Sequence, residues 1–108
     1  MSFVKRALAG GTLATTAVTA FELLSGAGSD RVRRKVEGLL APLEILPLDE
    51  AAGREAARIR LELEGEGTPI GMADYLIAGI CLSRSASLLT RNQAHFTRVR
   101  GLSLAKVS

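Results

Sequence analysis

The run Met72 to Leu82, MADYLIAGICL, does most to limit how this chain can fold. It is apolar on nearly every face, and its one charge, Asp74, stands near its beginning. A helix that is apolar all round is buried inside a domain. The run is far shorter than the roughly 20 apolar residues of a membrane-spanning helix. A Gly/Thr/Pro loop, Gly65 to Pro69, precedes it, and a short apolar strand, Ser87 to Thr90, follows and ends in the polar turn Arg91-Asn92. An α/β protein sets its site at the carboxyl ends of its strands. An acidic residue in the first turn of a buried helix, beside a strand that ends in Thr and Asn, suits that place.

The remaining elements arrange themselves around this run. Met1 to Leu8 reads as the tail of an amphipathic helix, capped by Ser2, with Phe3, Val4, Ala7 and Leu8 on one face and Gly10-Gly11 as its stop. Thr12 to Val18 is rich in Thr and Val and reads as a strand. A helix then starts at Thr19, where Thr19 and Glu22 have capping-box spacing, and Gly26 and Gly28 end it. Ser29 to Leu40 reads as a helix capped by Ser29 or Asp30, with Val32, Val36, Leu39 and Leu40 as its buried stripe. Leu43 to Leu46 is a short strand between Pro42 and Pro47. Asp49 caps the longest helix, to about Glu64, whose Ala52, Ala56, Ile59 and Leu63 share a face suited to close packing. After the Leu88-Leu89 strand come a turn, Gln93 to Phe96, and a last strand, Leu102 to Ala105. Strands alternating with helices predict an α/β fold with a mostly parallel sheet and helices on both faces. A length of 108 residues predicts one domain over 1–108.

Charge and cysteine usage narrow the classes. A net charge of +3 permits a nucleic-acid partner without requiring one. The exposed basic cluster Arg31, Arg33, Arg34 and Lys35, with Arg91, Arg98 and Arg100, supplies the available phosphate partners. The same cluster also fits a simple solvated helix face. The lone Cys81 allows no internal disulfide and no thiolate metal cluster, and it fits a reducing cytoplasm. Lys5-Arg6 and the Ala/Gly/Thr run after it read as structure rather than as a secretory leader.

Glu22, Asp74, Thr90 and Asn92 stand at equivalent places after successive strands, so the fold can bring them to one edge. Oxygen donors without histidine or thiolate suit a hard cation, Mg²⁺ or Mn²⁺. The reading is an acidic metal site for phosphodiester hydrolysis. Each residue also has a structural explanation: Glu22 closes a capping box, Asp74 complements the helix dipole, and Asn92 serves a turn. His95, the only histidine, has no Ser, Cys or carboxylate next to it in sequence and reads as a surface-turn residue.

Thr19-Ala20-Phe21-Glu22-Leu23-Leu24-Ser25-Gly26-Ala27 resembles the Glu-bearing helix start of the PIN-domain family, especially the VapC toxins of toxin–antitoxin pairs. Ile70-Gly71-Met72-Ala73-Asp74-Tyr75-Leu76-Ile77-Ala78 is similar to that family's second acidic segment. Leu88 to Phe96, followed by Gly101-Leu102, resembles its final motif. The likeness implies a PIN-like α/β/α sandwich and a magnesium-dependent endoribonuclease, usually a homodimer, silenced by a VapB-like antitoxin. It implies that Glu22 and Asp74 are metal-site carboxylates, that Asn92 stands where many members carry a further Asp, and that Thr90 supports the site. One departure stands out. The family begins with a central strand carrying an Asp, and here that strand and its Asp are absent, so the sequence begins within the next helix. The expectation is an N-terminally truncated domain, with unpaired backbone beside the gap and poor cleavage. The alternative is a catalytically dead module that holds RNA or an antitoxin.

Overall fold

The computed structural model describes residues 3–5 and 13–105. In chain order the elements are β1 (Phe3–Lys5), β2 (Leu13–Thr16), α1 (Ala17–Ser25), α2 (Asp30–Leu40), β3 (Glu44–Leu46), α3 (Glu50–Gly65), α4 (Met72–Ser83), β4 (Ser87–Leu89) and α5 (Gln93–Phe96). The strands form one sheet in the order β3-β2-β1-β4. The fold is α/β, as the sequence predicts.

The first strand corrects two expectations. Phe3–Lys5 is not helical. It pairs antiparallel with β2 (Val4↔Ala14) and with β4 (Phe3↔Leu89, Val4↔Leu88). A segment this short gains little as an isolated helix, whereas an aromatic and a β-branched residue suit a pleated slot. Val4 is fully buried there. The central position is therefore occupied, by β1, with β2 on one side and β4 on the other. The Ser2 cap, residues 6–8 of the expected helix and the Gly10-Gly11 stop lie outside the described residues.

Strand direction is mixed rather than mostly parallel. β2 and β3 are parallel, and β1 opposes both β2 and β4. It follows that β2, β3 and β4 run one way and β1 alone runs against them. The predicted last strand is reduced to a parallel bridge, Leu88↔Leu104, with backbone bonds from Leu88 N to Ser103 O (2.8 Å) and from Ala105 N to Leu88 O (2.9 Å). Successive residues Ala14, Thr15 and Thr16 of β2 are all buried. Neighbours on a strand point to opposite faces, so this strand is covered on both sides.

The helices follow their caps. Thr16, not Thr19, caps α1: its hydroxyl accepts the Thr19 N–H at 3.1 Å. The helix thus starts earlier than predicted, and Glu22 lies beyond its first turn, free of any capping box. Ser29 caps α2 through the Val32 N–H, and Asp49 caps α3 through the Ala52 N–H. The expected stripe on α2 is not buried: Leu40 is, but Val32 and Leu39 are exposed, because α2 rests on α1 at the margin of the domain.

The α3 face is buried as predicted, with Ala52, Ala56, Ile59 and Leu63 all inside. It packs on α4, where Gly79 lets the two helix backbones approach closely. On α4, Ile77, Ile80 and Cys81 are buried as expected. Leu76 is only half-buried and Met72 is 53% exposed, because the first turn of α4 projects past the core. Burial pushes the Cys81 thiol pKa up to about 12.

Candidate active site

The direction of the strands decides what meets at the site. The carboxyl ends of β2 and β4 lie on one edge of the sheet. Because β1 is reversed, its amino end comes to that same edge, which places Phe3 opposite Leu89. A cleft of about 440 Å³ opens there, lined by Phe3, Thr19, Glu22, Asp74, Ile77, Thr90, Arg91, Asn92 and Phe96. All four of the principal residues picked from the sequence, Glu22, Asp74, Thr90 and Asn92, line it.

Each is held differently. Glu22 projects from α1 with its side chain exposed. Asp74 sits in the first turn of α4, where the helix dipole favours a negative charge. Its carboxylate accepts a hydrogen bond from His95 Nδ1 at 2.8 Å. Thr90 is buried and its hydroxyl accepts the Asn92 N–H at 3.2 Å, which fixes the turn leaving β4. The Asn92 side-chain amide lies 3.3 Å from His95 Nδ1.

The contact with Asp74 corrects the reading of His95 as a plain surface-turn residue. The histidine has no carboxylate beside it in sequence, and the fold brings one from α4. Thr19 and Phe3 are further cleft residues that the sequence reading did not select. The Thr16-x-x-Thr19 spacing of a helix start was the available signal for Thr19, whose hydroxyl accepts from that of Thr16 at 3.2 Å.

The basic residues separate into groups. Arg91 lines the cleft. Arg98 Nη1 donates to the Pro69 carbonyl at 3.0 Å and Arg100 pairs with Glu66 at 2.8 Å, so both tie the C-terminal segment to the loop before α4. Arg31, Arg33, Arg34 and Lys35 are exposed along α2 and do not line the cleft.

The donor chemistry can be tested against a metal ion. Among the described residues no three His, Cys, Asp or Glu side chains converge as a metal group. Glu22 and Asp74 nonetheless share one polar cleft. Mg²⁺ is commonly held by one or two carboxylates while keeping several waters, so this acidic pair fits such an ion.

The PIN-domain family model matches residues 2–102. The chain belongs to the PIN-domain family. Among its relatives is the tRNA(fMet)-specific endonuclease VapC of Shigella flexneri, 34% identical over 96 residues, spanning 85% of this chain and 73% of that protein. The protein of the same name from Salmonella typhimurium is 36% identical over 91 residues, spanning 81% and 69%. VapBC2 from Rickettsia felis, solved bound to a promoter DNA fragment, superposes with a TM-score of 0.85 at 28% identity, covering 92% of this chain and 77% of that one. VapBC-1 from nontypeable Haemophilus influenzae gives 0.84 at 30% identity, with 92% and 77% covered. The sandwich expected from the resemblance thus has close structural counterparts among VapBC complexes. No helix among the described residues is long and apolar enough to cross a membrane.

Proposed function

We propose that this PIN domain is a VapC-type endoribonuclease, the toxin half of a toxin–antitoxin pair, acting on tRNA or a similarly structured RNA in the cytoplasm. The observation that carries this reading is the convergence of Glu22, Asp74, Thr90 and Asn92, from three separate segments, on one cleft. Glu22 and Asp74 would hold Mg²⁺ or Mn²⁺, with the Asn92 side chain at the rim. When bound, such an ion supplies Lewis acidity toward a phosphate oxygen and lowers the pKa of a bound water. Thr90 fixes the turn that carries Asn92. Arg91 would pair with a neighbouring phosphate, and Ile77 with Phe3 gives the cleft an apolar wall.

The partner in this reading is a VapB-like antitoxin, as in the related complexes. Its landing place is an apolar groove of about 390 Å³ lined by Ala17, Val18, Phe21, Leu48, Met72, Ala73 and Leu76. Phe21 precedes Glu22 and Ala73 precedes Asp74, so whatever fills the groove sits beside the acidic pair. A homodimer, the usual family state, belongs to the same proposal.

One observation favours a second reading. The central strand brings Phe3 to the cleft and contributes no carboxylate there. A site with two acidic groups can hold RNA, or an antitoxin, without cutting. One assay separates the two: incubation of a tRNA pool with Mg²⁺, Mn²⁺ or EDTA, for the parent chain and for E22Q and D74N. Weak, metal-dependent cleavage that both substitutions abolish is the expected result. Cleavage that survives in EDTA or in D74N removes the metal-site reading. RNA binding with no cleavage in any metal supports the binding module.

A further inference from the structure

The Asp74–His95 contact joins elements that lie 21 positions apart and is not needed to cap a helix or close a turn. A carboxylate only accepts hydrogen bonds, so in this contact Nδ1 carries the hydrogen and donates it to Oδ2. The Asp74 side chain is 20% exposed and that of His95 41%, so the contact lies at the margin of the fold with the carboxylate the more sheltered partner. Rotation about the terminal bond of an Asp side chain is broad and nearly two-fold. Untethered, the two carboxylate oxygens would exchange places. In a cleft where no third acidic group converges among the described residues, the aim of each remaining oxygen matters more.

The ring that makes the tie is itself anchored. Phe96, next in sequence, is 1% exposed and fastens α5 to the core. We propose that His95 is a positioning residue of this site: its Nδ1–H holds one oxygen of Asp74 so that the other stays turned to the cation. This rests on the cation reading of the cleft given above. Groups of this kind behind a metal ligand typically change metal affinity 10–100-fold when removed.

The test uses the intact chain and Mn²⁺ alone, with no RNA, followed by electron paramagnetic resonance. H95A should bind Mn²⁺ about 10-fold more weakly or worse, with its melting temperature close to that of the parent. H95Q, whose amide can donate to the same oxygen, should recover most of the loss. A second measurement needs no metal: ¹⁵N resonances of the neutral imidazole should report the Nδ1–H tautomer in the parent and its loss in D74A. Mn²⁺ binding in H95A equal to the parent, no recovery in H95Q, or an Nε2–H tautomer in the parent would each overturn the proposal. If the parent takes up no Mn²⁺, the cation reading fails, and the tautomer still decides whether His95 holds Asp74.

Discussion

The seam between α3 and α4 offers a sharp quantitative test at Gly79. An ideal Cβ there would stand 2.5 Å from the Ala52 carbonyl oxygen, 2.8 Å from Ala56 Cβ and 2.8 Å from Ala56 N. Carbon atoms rest at about 3.5–4.0 Å, so G79A must part the two helices by on the order of 1 Å. A gap of that size forfeits about a quarter to a half of each contact's attraction along the seam. Overpacking a core costs ~1–3 kcal/mol, and two of the three obstructing atoms here are backbone, which sets the cost at the upper end. Alanine in place of a helical glycine returns about 1 kcal/mol. The net expectation is a loss of about 2 kcal/mol. Urea titration should show a lower midpoint at unchanged slope. The contrast is Gly38 on α2, where an added Cβ meets nothing within 4 Å, so G38A should gain up to about 1 kcal/mol. If G79A proves as stable as the parent, or more so, the two helices do not touch where the structure places them.

Three other outcomes are expected. T16A removes the α1 cap and leaves the Thr19 N–H without its partner, which should lower stability by about 1–2 kcal/mol in the same titration. The Asp49 carboxyl is held below its usual range by the Ala52 N–H first and by Arg84 second. A depressed folded value means stabilisation present above the unfolded value of about 3.9 and lost as pH falls through the folded one. The stability difference between parent and D49N should therefore shrink on acidification, and a constant difference would contradict it. Cys81, buried and with its pKa raised to about 12, should react with a disulfide reagent only as fast as the chain unfolds and promptly in denaturant.

Much of this architecture is legible in the sequence, for identifiable reasons. Ala52, Ala56, Ile59 and Leu63 recur at helical spacing, and small residues there foretell a close neighbour. Asp74 stands out in the sequence because a lone charge in an apolar run needs a purpose, and the fold puts it on the cleft. Glu22, Thr90 and Asn92 line the same cleft, as expected where strands of an α/β sheet end on a shared edge. What escaped the reading depends on contacts distant in sequence. Phe3–Lys5 is a strand because Ala14 and Leu88 flank it, and its own residues alternate too briefly to show this. Apolar spacing on α2 and at Met72 identifies a face without saying whether anything covers it. His95 looked unaccompanied because its partner, Asp74, belongs to a different helix.

The reversed central strand has a consequence for how the molecule is made. β1 is made before the other three strands, yet one of its two neighbours, β4, is made after all of them, since Val4 pairs with Leu88. At synthesis rates of ~5–20 residues per second the interval is on the order of ten seconds. Through that time β1 can pair only with β2, so it forms the open edge of a β3-β2-β1 sheet. The sheet therefore closes only after α4 and β4 have been made. A ribosome that stalls between α3 and β4 would leave the middle of the sheet exposed and open to pairing with another nascent chain.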